Sequence, residues 1–356
     1  MNSLHIVMLF CLQRLKEERT IYGVYHLLKG KKSAQTIQDG QIYGLSFLFQ
    51  SFPYLRKSSF DSMITTLVQR ETIISKGEHV YQVTEKGHEY VQKWLTTNEL
   101  PSSLNGWQYA NVTYPFWKRL LVLFQTASNL VYEEKKFVPV TRDEETLRWL
   151  KKFLVRNGQN RTELAHQLFQ ELKDILKETP QLNVEIFVRQ FSGYQYAGET
   201  NVQIAKEYNI DEHYVHLCQL ATVHFIIHML KKQKDLYKLL QGLLTDFNVV
   251  LPLTSSAKAT YELMKRNKSF EDIMRIRRLK KSTIEDHLAE IALFVDDFSL
   301  SDYVTNDEQV EIKRVYLKLN TNKLKPIKDE VSSSITYFQI RLVLAHLTKE
   351  RRVTWS

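Results

Sequence analysis

The chain is poor in the residues that punctuate and staple a fold. Of its 356 residues only 11 are Gly, 7 are Pro and 2 are Cys. So few turn residues leave little room for long irregular loops and favour a mainly α chain. Cys11 and Cys218 cannot build a disulfide framework, and both stand in apolar helical runs, where buried free thiols are the default. That usage fits a reducing, cytoplasmic setting. Long apolar runs are also missing. The stretch LHIVMLFCL from Leu4 has no basic start, ends at Gln13-Arg14 and is too short to span a bilayer. It reads as a core helix, with no membrane partner.

Catalytic patterns are equally scarce. There is no CxxC and no HExxH. His213, His216, His224 and His228 share one helical segment with Cys218, but zinc needs four ligands on converging elements. Packing or surface roles are the expectation for these histidines. The run Gly30-Lys31-Lys32-Ser33 lacks the glycine five residues earlier that a phosphate-cradling loop requires, since Tyr25 stands there inside a helical run. No DExH-like motif, paired carboxylates or nucleophile with a base stands out. The expectation is a non-enzymatic protein without cofactor or metal.

What the chain does have is excess positive charge, +9 in all. Such a balance suits a phosphate-rich partner. Its densest cluster lies between Ser255 and Phe294, where three helix-sized segments are separated by two short polar breaks. Ser255-Ser256 can cap the first and Ser269 the second. Phe270, Ile273, Met274 and Ile276 form the expected inward stripe of the second, and Ile284, Leu288, Ile291 and Ala292 that of the third. Two short helices and a tight turn, braced by another helix, make a helix-turn-helix. Lys265, Arg266, Lys268, Arg275, Arg277, Arg278, Lys280 and Lys281 crowd around the turn, offset by Glu271 and Asp272. Phosphates attract such a patch regardless of sequence. Ser282, Thr283, Asp286 and His287 stand in the first turns of the third helix, which usually meet base edges; Glu285 and Asp286 oppose phosphate there. The candidate DNA contacts are Arg275, Arg277, Arg278, Lys280, Lys281, Ser282, Thr283 and His287.

At these residues a family likeness begins. SFEDIMRIRRLKKSTIEDHLAEIALF resembles the helix-turn-helix domain at the C-terminus of RecQ-type helicases, and the likeness continues through LKPIKDEVSSSITYFQIRLVLAHL, Leu324 to Leu347. The whole chain resembles the stand-alone Firmicute helix-turn-helix proteins of the YpbB type, which carry this domain without a helicase. Two departures stand out. Arg278 occupies the place where the family usually has Gly, and Met274 a place usually taken by a small residue. The likeness implies a DNA partner, and a RecQ-type helicase as protein partner in repair or recombination.

The first 97 residues read as a winged-helix-like domain with a short β-hairpin. Stripes at Leu4–Leu15 and Ile21–Leu28 give two helices, and Ser33 opens a short third through Ile37, with irregular chain at Gly40 and Gly44. Ser58 precedes a helix through Val68; Ile73-Ile74 and Val80–Val83 form two strands around a Lys76-Gly77-Glu78 turn, where Gly accepts positive φ. A last helix passes Val91 and Trp94. Arg56, Lys57, Ser58 and Ser59 at a helix start, with Lys76 and His79 on the wing, are further candidate DNA contacts, and protein docking is the alternative.

Residues 98–254 read as a helical middle domain, opened by the linker Leu100–Gly106. One of its helices stops at Asn157-Gly158. Its segment from Thr200 to His228 again has helix-turn-helix spacing, but the second helix is apolar on most sides, as a buried helix is. Residues 255–350 form the third domain. There an amphipathic helix runs through Val310, Ile312, Val315, Tyr316 and Leu319, and Arg351-Arg352 carry exposed charge. The functional expectation is a DNA-binding helicase accessory factor. A protein-interaction adaptor and a transcriptional regulator are the alternatives.

Overall fold

The computed structural model describes residues 1–157, 160–247 and 253–353, with side chains through Lys349. Gly158 and the side chains of Arg351 and Arg352 lie outside the described residues. The chain is mainly α. It opens with α1 (Ser3–Leu15), α2 (Tyr22–Lys29), α3 (Ala34–Ile42) and α4 (Lys57–Gln69), then a hairpin of β1 (Ile73–Gly77) and β2 (Val80–Val83), then α5 (Glu85–Thr97). The middle holds α6 (Gly106–Tyr109), α7 (Thr113–Val131), α8 (Glu144–Asn157), α9 (Arg161–Leu176), α10 (Gln181–Val188), α11 (Asn201–Tyr208), α12 (Glu212–Lys232) and α13 (Lys238–Gln241). Last come α14 (Ser255–Met264), α15 (Phe270–Arg277), α16 (Lys281–Phe294), α17 (Asn306–Leu319), α18 (Leu324–Glu330) and α19 (Tyr337–Val353).

Two compact units result, and neither is one continuous stretch of chain. The first contains residues 1–7 and the described part of 92–249; the second contains 8–91 and the described part of 250–356.

The first unit is organised around α12. Val215, Leu217, Cys218, Leu220, Val223, Ile226, Ile227 and Leu230 are all buried, which agrees with its apolar circumference. Asp211 caps it by accepting the His213 and Tyr214 N–H groups. Thr200 and Gln203 form a reciprocal capping box on α11, and Asn209 turns the chain in the left-handed conformation. His224 is fully enclosed. Its Nδ1 accepts the Asn105 N–H at 2.9 Å, and its Nε2 meets Thr113 Oγ1 at 3.0 Å. Burial, then the charge of His216, pushes its pKa down to about 3. His224 thus fastens the linker as a neutral ring. Among the described residues no group of three or more His, Cys, Asp and Glu could hold a metal ion.

In the second unit the wing forms as an antiparallel pair, Ile73 opposite Val83 and Ser75 opposite Tyr81, with a register shift between Ser75 and Gly77. Gly77 takes positive φ (159), as expected of the Lys76-Gly77-Glu78 turn, and His79 of the same turn is in the left-handed conformation (φ 58). His79 is held there because its carbonyl accepts the Ile21 N–H at 2.8 Å and its ring meets Tyr22 edge-on. The third helix is longer than its sequence suggests and passes through Gly40. Two residues placed inward from the sequence are outside: Ile276 is 50% exposed and Val310 is 68% exposed. In α15 the inward work is done by Ile273, with Phe270 and Met274 partly buried beside it.

Gly87 sets how closely α5 crosses the hairpin. A Cβ there would lie 2.3 Å from the Thr72 carbonyl oxygen and 2.7 Å from Val83 Cγ1. Backbone must move to admit it. Gly87→Ala should therefore destabilise the second unit by about 1–3 kcal/mol, read as a lower urea midpoint; an unchanged midpoint would contradict this packing.

Candidate nucleic-acid interface

The helix-turn-helix is built from α14, α15 and α16 over a small core of Ala257, Ile273, Ile284, Leu288 and Ile291. Local sequence starts each helix. Thr254 Oγ1 accepts the Ala257 N–H, one residue before the serines expected to cap α14, and Ser269 Oγ accepts the Asp272 N–H on α15. The turn into α16 depends on Arg278, which adopts the left-handed conformation at φ 52, ψ 43. The Leu279 N–H reaches back to the Met274 carbonyl at 3.2 Å and closes a Schellman-type stop. This is the position at which glycine is favoured, because an L side chain in that conformation costs about 1–2 kcal/mol.

A polar chain ties the three helices together from inside. Arg277 donates to the Ser256 carbonyl at 2.7 Å, to Thr260 Oγ1 at 2.8 Å and to Ser256 Oγ at 3.1 Å. Thr260, wholly buried, meets His287 Nδ1 at 2.9 Å. The threonine hydroxyl accepts from Arg277 and keeps both its O–H and a second lone pair, so its bond to His287 Nδ1 forms with either tautomer of the ring. Burial first, and the Arg277 charge second, hold the His287 pKa below its ordinary value.

These facts correct two sequence assignments. Arg277 and His287, read as DNA contacts, have their polar groups engaged inside the fold. The remaining candidates are on the surface. Arg275, Arg278, Lys280, Lys281 and Ser282 are exposed and Thr283 is half-buried. Arg275, Arg278 and Lys280 line one shallow depression with Glu271, Met274 and Leu279. Arg275 pairs with Asp272 at 2.6 Å yet stays 80% exposed, and Lys281 stands 3.9 Å from Glu285. Among the described residues Arg266, Lys268, Arg278 and Lys280 make no ion pair. Lys280, the residue before α16, makes no side-chain cap, and its carbonyl accepts the Thr283 N–H at 3.0 Å. Asp286 is turned toward Arg341 of α19, 2.6 Å away, which neutralises an acid that would repel phosphate.

Beyond this first turn α16 is enclosed. His287 through Leu293 are all buried, and the helix packs on α3, α14, α15 and α19. Glu290 is among them, at 4% exposure, and accepts from the Thr254 N–H and, at 3.0 Å, from its hydroxyl. Burial pushes its pKa up to about 7; the Thr254 bonds and the Lys32 charge oppose that rise. Sequence spacing gave no hint of Glu290, because a lone acid in a helix looks solvated until its neighbours are known.

The first-module candidates are placed separately. Arg56, Lys57, Ser58 and Ser59 are exposed at the start of α4, and Lys76 and His79 are exposed on the wing. Lys57 is engaged: its Nζ is 2.8 Å from Asp61 and 3.2 Å from the Tyr22 hydroxyl, and it stands over the Tyr22 ring.

A family model described as a helix-turn-helix domain matches residues 256–344. Protein YpbB of Bacillus subtilis (strain 168) is 34% identical over 345 residues, covering 97% of each chain. The chain belongs to the YpbB family. No solved structure matches it. No helix among the described residues of this YpbB-family chain is long and apolar enough to cross a membrane.

Two measurements probe the site. Thr260→Val, which keeps the shape and removes the shared hydroxyl, should cost about 1–3 kcal/mol by urea denaturation, because Arg277 and His287 each lose a buried partner. A neutral result would mean the chain of bonds is dispensable. Glu290 gives a pH dependence of defined sign. Its raised pKa means the folded state holds this proton more tightly than the unfolded chain does. Its contribution is fully present below the ordinary value of 4.5 and is lost as pH rises through about 7. The stability of wild type relative to Glu290→Gln should accordingly fall by about 3 kcal/mol across that window. A difference that is flat with pH would contradict the burial of this carboxyl.

Proposed function

We propose that the chain is a non-enzymatic DNA-binding protein that docks on phosphates through the turn and the first turn of α16. The observation that carries this is the convergence of Arg275, Arg278, Lys280 and Lys281, all exposed, around a helix start that has no side-chain cap. Backbone N–H groups and cations together make an anion site. Ser282 and Thr283 stand at the position from which this motif reads base edges. Because α16 is enclosed from His287 onward, base contact is confined to its first turn.

The finer part of the proposal is that the protein acts beside a RecQ-type helicase in repair or recombination. It is supported by the likeness of Ser269–Phe294 and Leu324–Leu347 to the C-terminal domain of those enzymes. For the first module, protein contact is favoured over phosphate contact. Lys57 is neutralised by Asp61, and Tyr54, Val68 and Ile74 are exposed apolar residues.

Fluorescence-anisotropy titration of the full chain with single-stranded, duplex and forked DNA at two salt concentrations tests the reading. Lys280→Ala should weaken binding to all three and reduce the salt slope by about 1. Arg278→Gly separates stability from binding: it should raise stability by about 1 kcal/mol, by relieving the left-handed conformation, while weakening DNA binding. A folded variant that binds DNA as well as wild type would remove this patch from the interface. A chain that captures a RecQ helicase yet ignores DNA at low salt would establish the adaptor role instead.

A further inference from the structure

The first unit contains a second concentration of positive charge, remote in sequence from the helix-turn-helix and unused by the DNA reading. It is a cavity of about 730 Å³ between α8 on one wall and α13 with the turn after it on the other. That volume is within the range of small-molecule sites, about 300–1,000 Å³. Arg148, Lys152 and Arg156 follow one another at intervals of four residues and so share one face of α8. Lys238 faces them from the start of α13.

Arg119 of α7 also lines the cavity, and it is only 3% exposed. Its guanidinium donates to the Leu243 carbonyl at 2.9 Å and to Asp246 at 3.1 Å, and it is stacked between the rings of Trp149 and Phe247, 4.8 and 4.4 Å from their centroids. A charged side chain held in this way is fixed in place. Asp246 itself is largely exposed, so its hold on Arg119 is open to competition by a stronger anion. Only Glu145 and Asp246 oppose five cations around the cavity. Among the described residues Lys152, Arg156 and Lys238 have no ion pair.

Trp149 and Phe153 give the same cavity an apolar side. Gly242 leaves room for the Phe153 ring, whose Cε2 would stand 2.8 Å from a Cβ at that position. The combination is a cationic row, a buried guanidinium and an aromatic wall in one half-enclosed pocket. That is the chemistry of a small ligand bearing several phosphate charges and a flat apolar part. We propose that this cavity binds a nucleotide-sized polyphosphate ligand, at a site separate from the DNA interface. A continuous nucleic-acid strand is disfavoured because the cations converge on one half-enclosed pocket.

The test is isothermal titration of the full-length protein with ATP as probe, at about 150 mM salt, where loose surface charge is screened. Inorganic tripolyphosphate, adenosine and a short single-stranded oligonucleotide serve as competitors. Lys152→Glu with Arg156→Glu changes two exposed residues, and its melting curve checks that the fold is kept. ATP should bind, tripolyphosphate should displace it, and adenosine should not. The double variant should bind ATP at least tenfold more weakly, with DNA affinity unchanged. A ligand affinity equal for ATP and tripolyphosphate would assign recognition to phosphate alone; tighter ATP would add the aromatic wall. The proposal is overturned if millimolar ATP and tripolyphosphate both fail to bind. It is equally overturned if the folded double variant binds ATP like wild type, or if only the oligonucleotide binds and is lost in that variant.

Discussion

The helix-turn-helix depends on one buried hydroxyl. Thr260 accepts from Arg277 of α15 and shares a hydrogen bond with His287 of α16, while Ser256 takes the other two bonds of the same guanidinium. The apolar core of Ala257, Ile273, Ile284, Leu288 and Ile291 is non-directional, and the bond network adds direction to it. It also decides which cations are available outside. Arg277 is drawn inward to serve Thr260, and its neighbours Arg275 and Arg278 remain on the surface. The network is demanding, since each member left without its partner is a buried polar group without a bond.

The enclosure of α16 has a functional consequence. A recognition helix with a long free face can read several base pairs along a groove. Here α3, α14 and α19 cover the helix after its first turn. What remains is suited to phosphates and to a base edge near the helix start. Contacts of that kind are salt-dependent and fix position more than they discriminate between sequences.

Much of the local structure was legible in the sequence, because local signals are what a sequence displays. Ser269, Thr200 and Asp211 cap the helices they precede. The apolar circumference of α12 announced a buried helix, and Ile284, Leu288, Ile291 and Ala292 mark the inward face of α16. Arg278 adopts the left-handed conformation that glycine takes most easily, a feature that helical spacing does not show. The failures share a different cause. Arg277, His287 and Glu290 are polar residues on helices, and their inward orientation depends on Thr260, Ser256 and Thr254, up to 36 residues away. Ile276 and Val310 are apolar residues that helical spacing alone could not place. The joining of residues 8–91 with the C-terminal helices is carried by contacts such as α3 against α16, and by Glu18, which accepts from the Asn322 N–H at 3.1 Å. No periodicity within either segment encodes that pairing.

The central claim is that DNA meets this protein at the turn and first turn of α16. Amide hydrogen exchange of the full chain, with and without duplex DNA, tests it most directly. The account predicts new protection at Arg275 through Thr283, and little change from His287 to Leu293, where the fold already excludes water. Protection confined to α4 and the hairpin, with Arg275 through Thr283 unaffected, would contradict it.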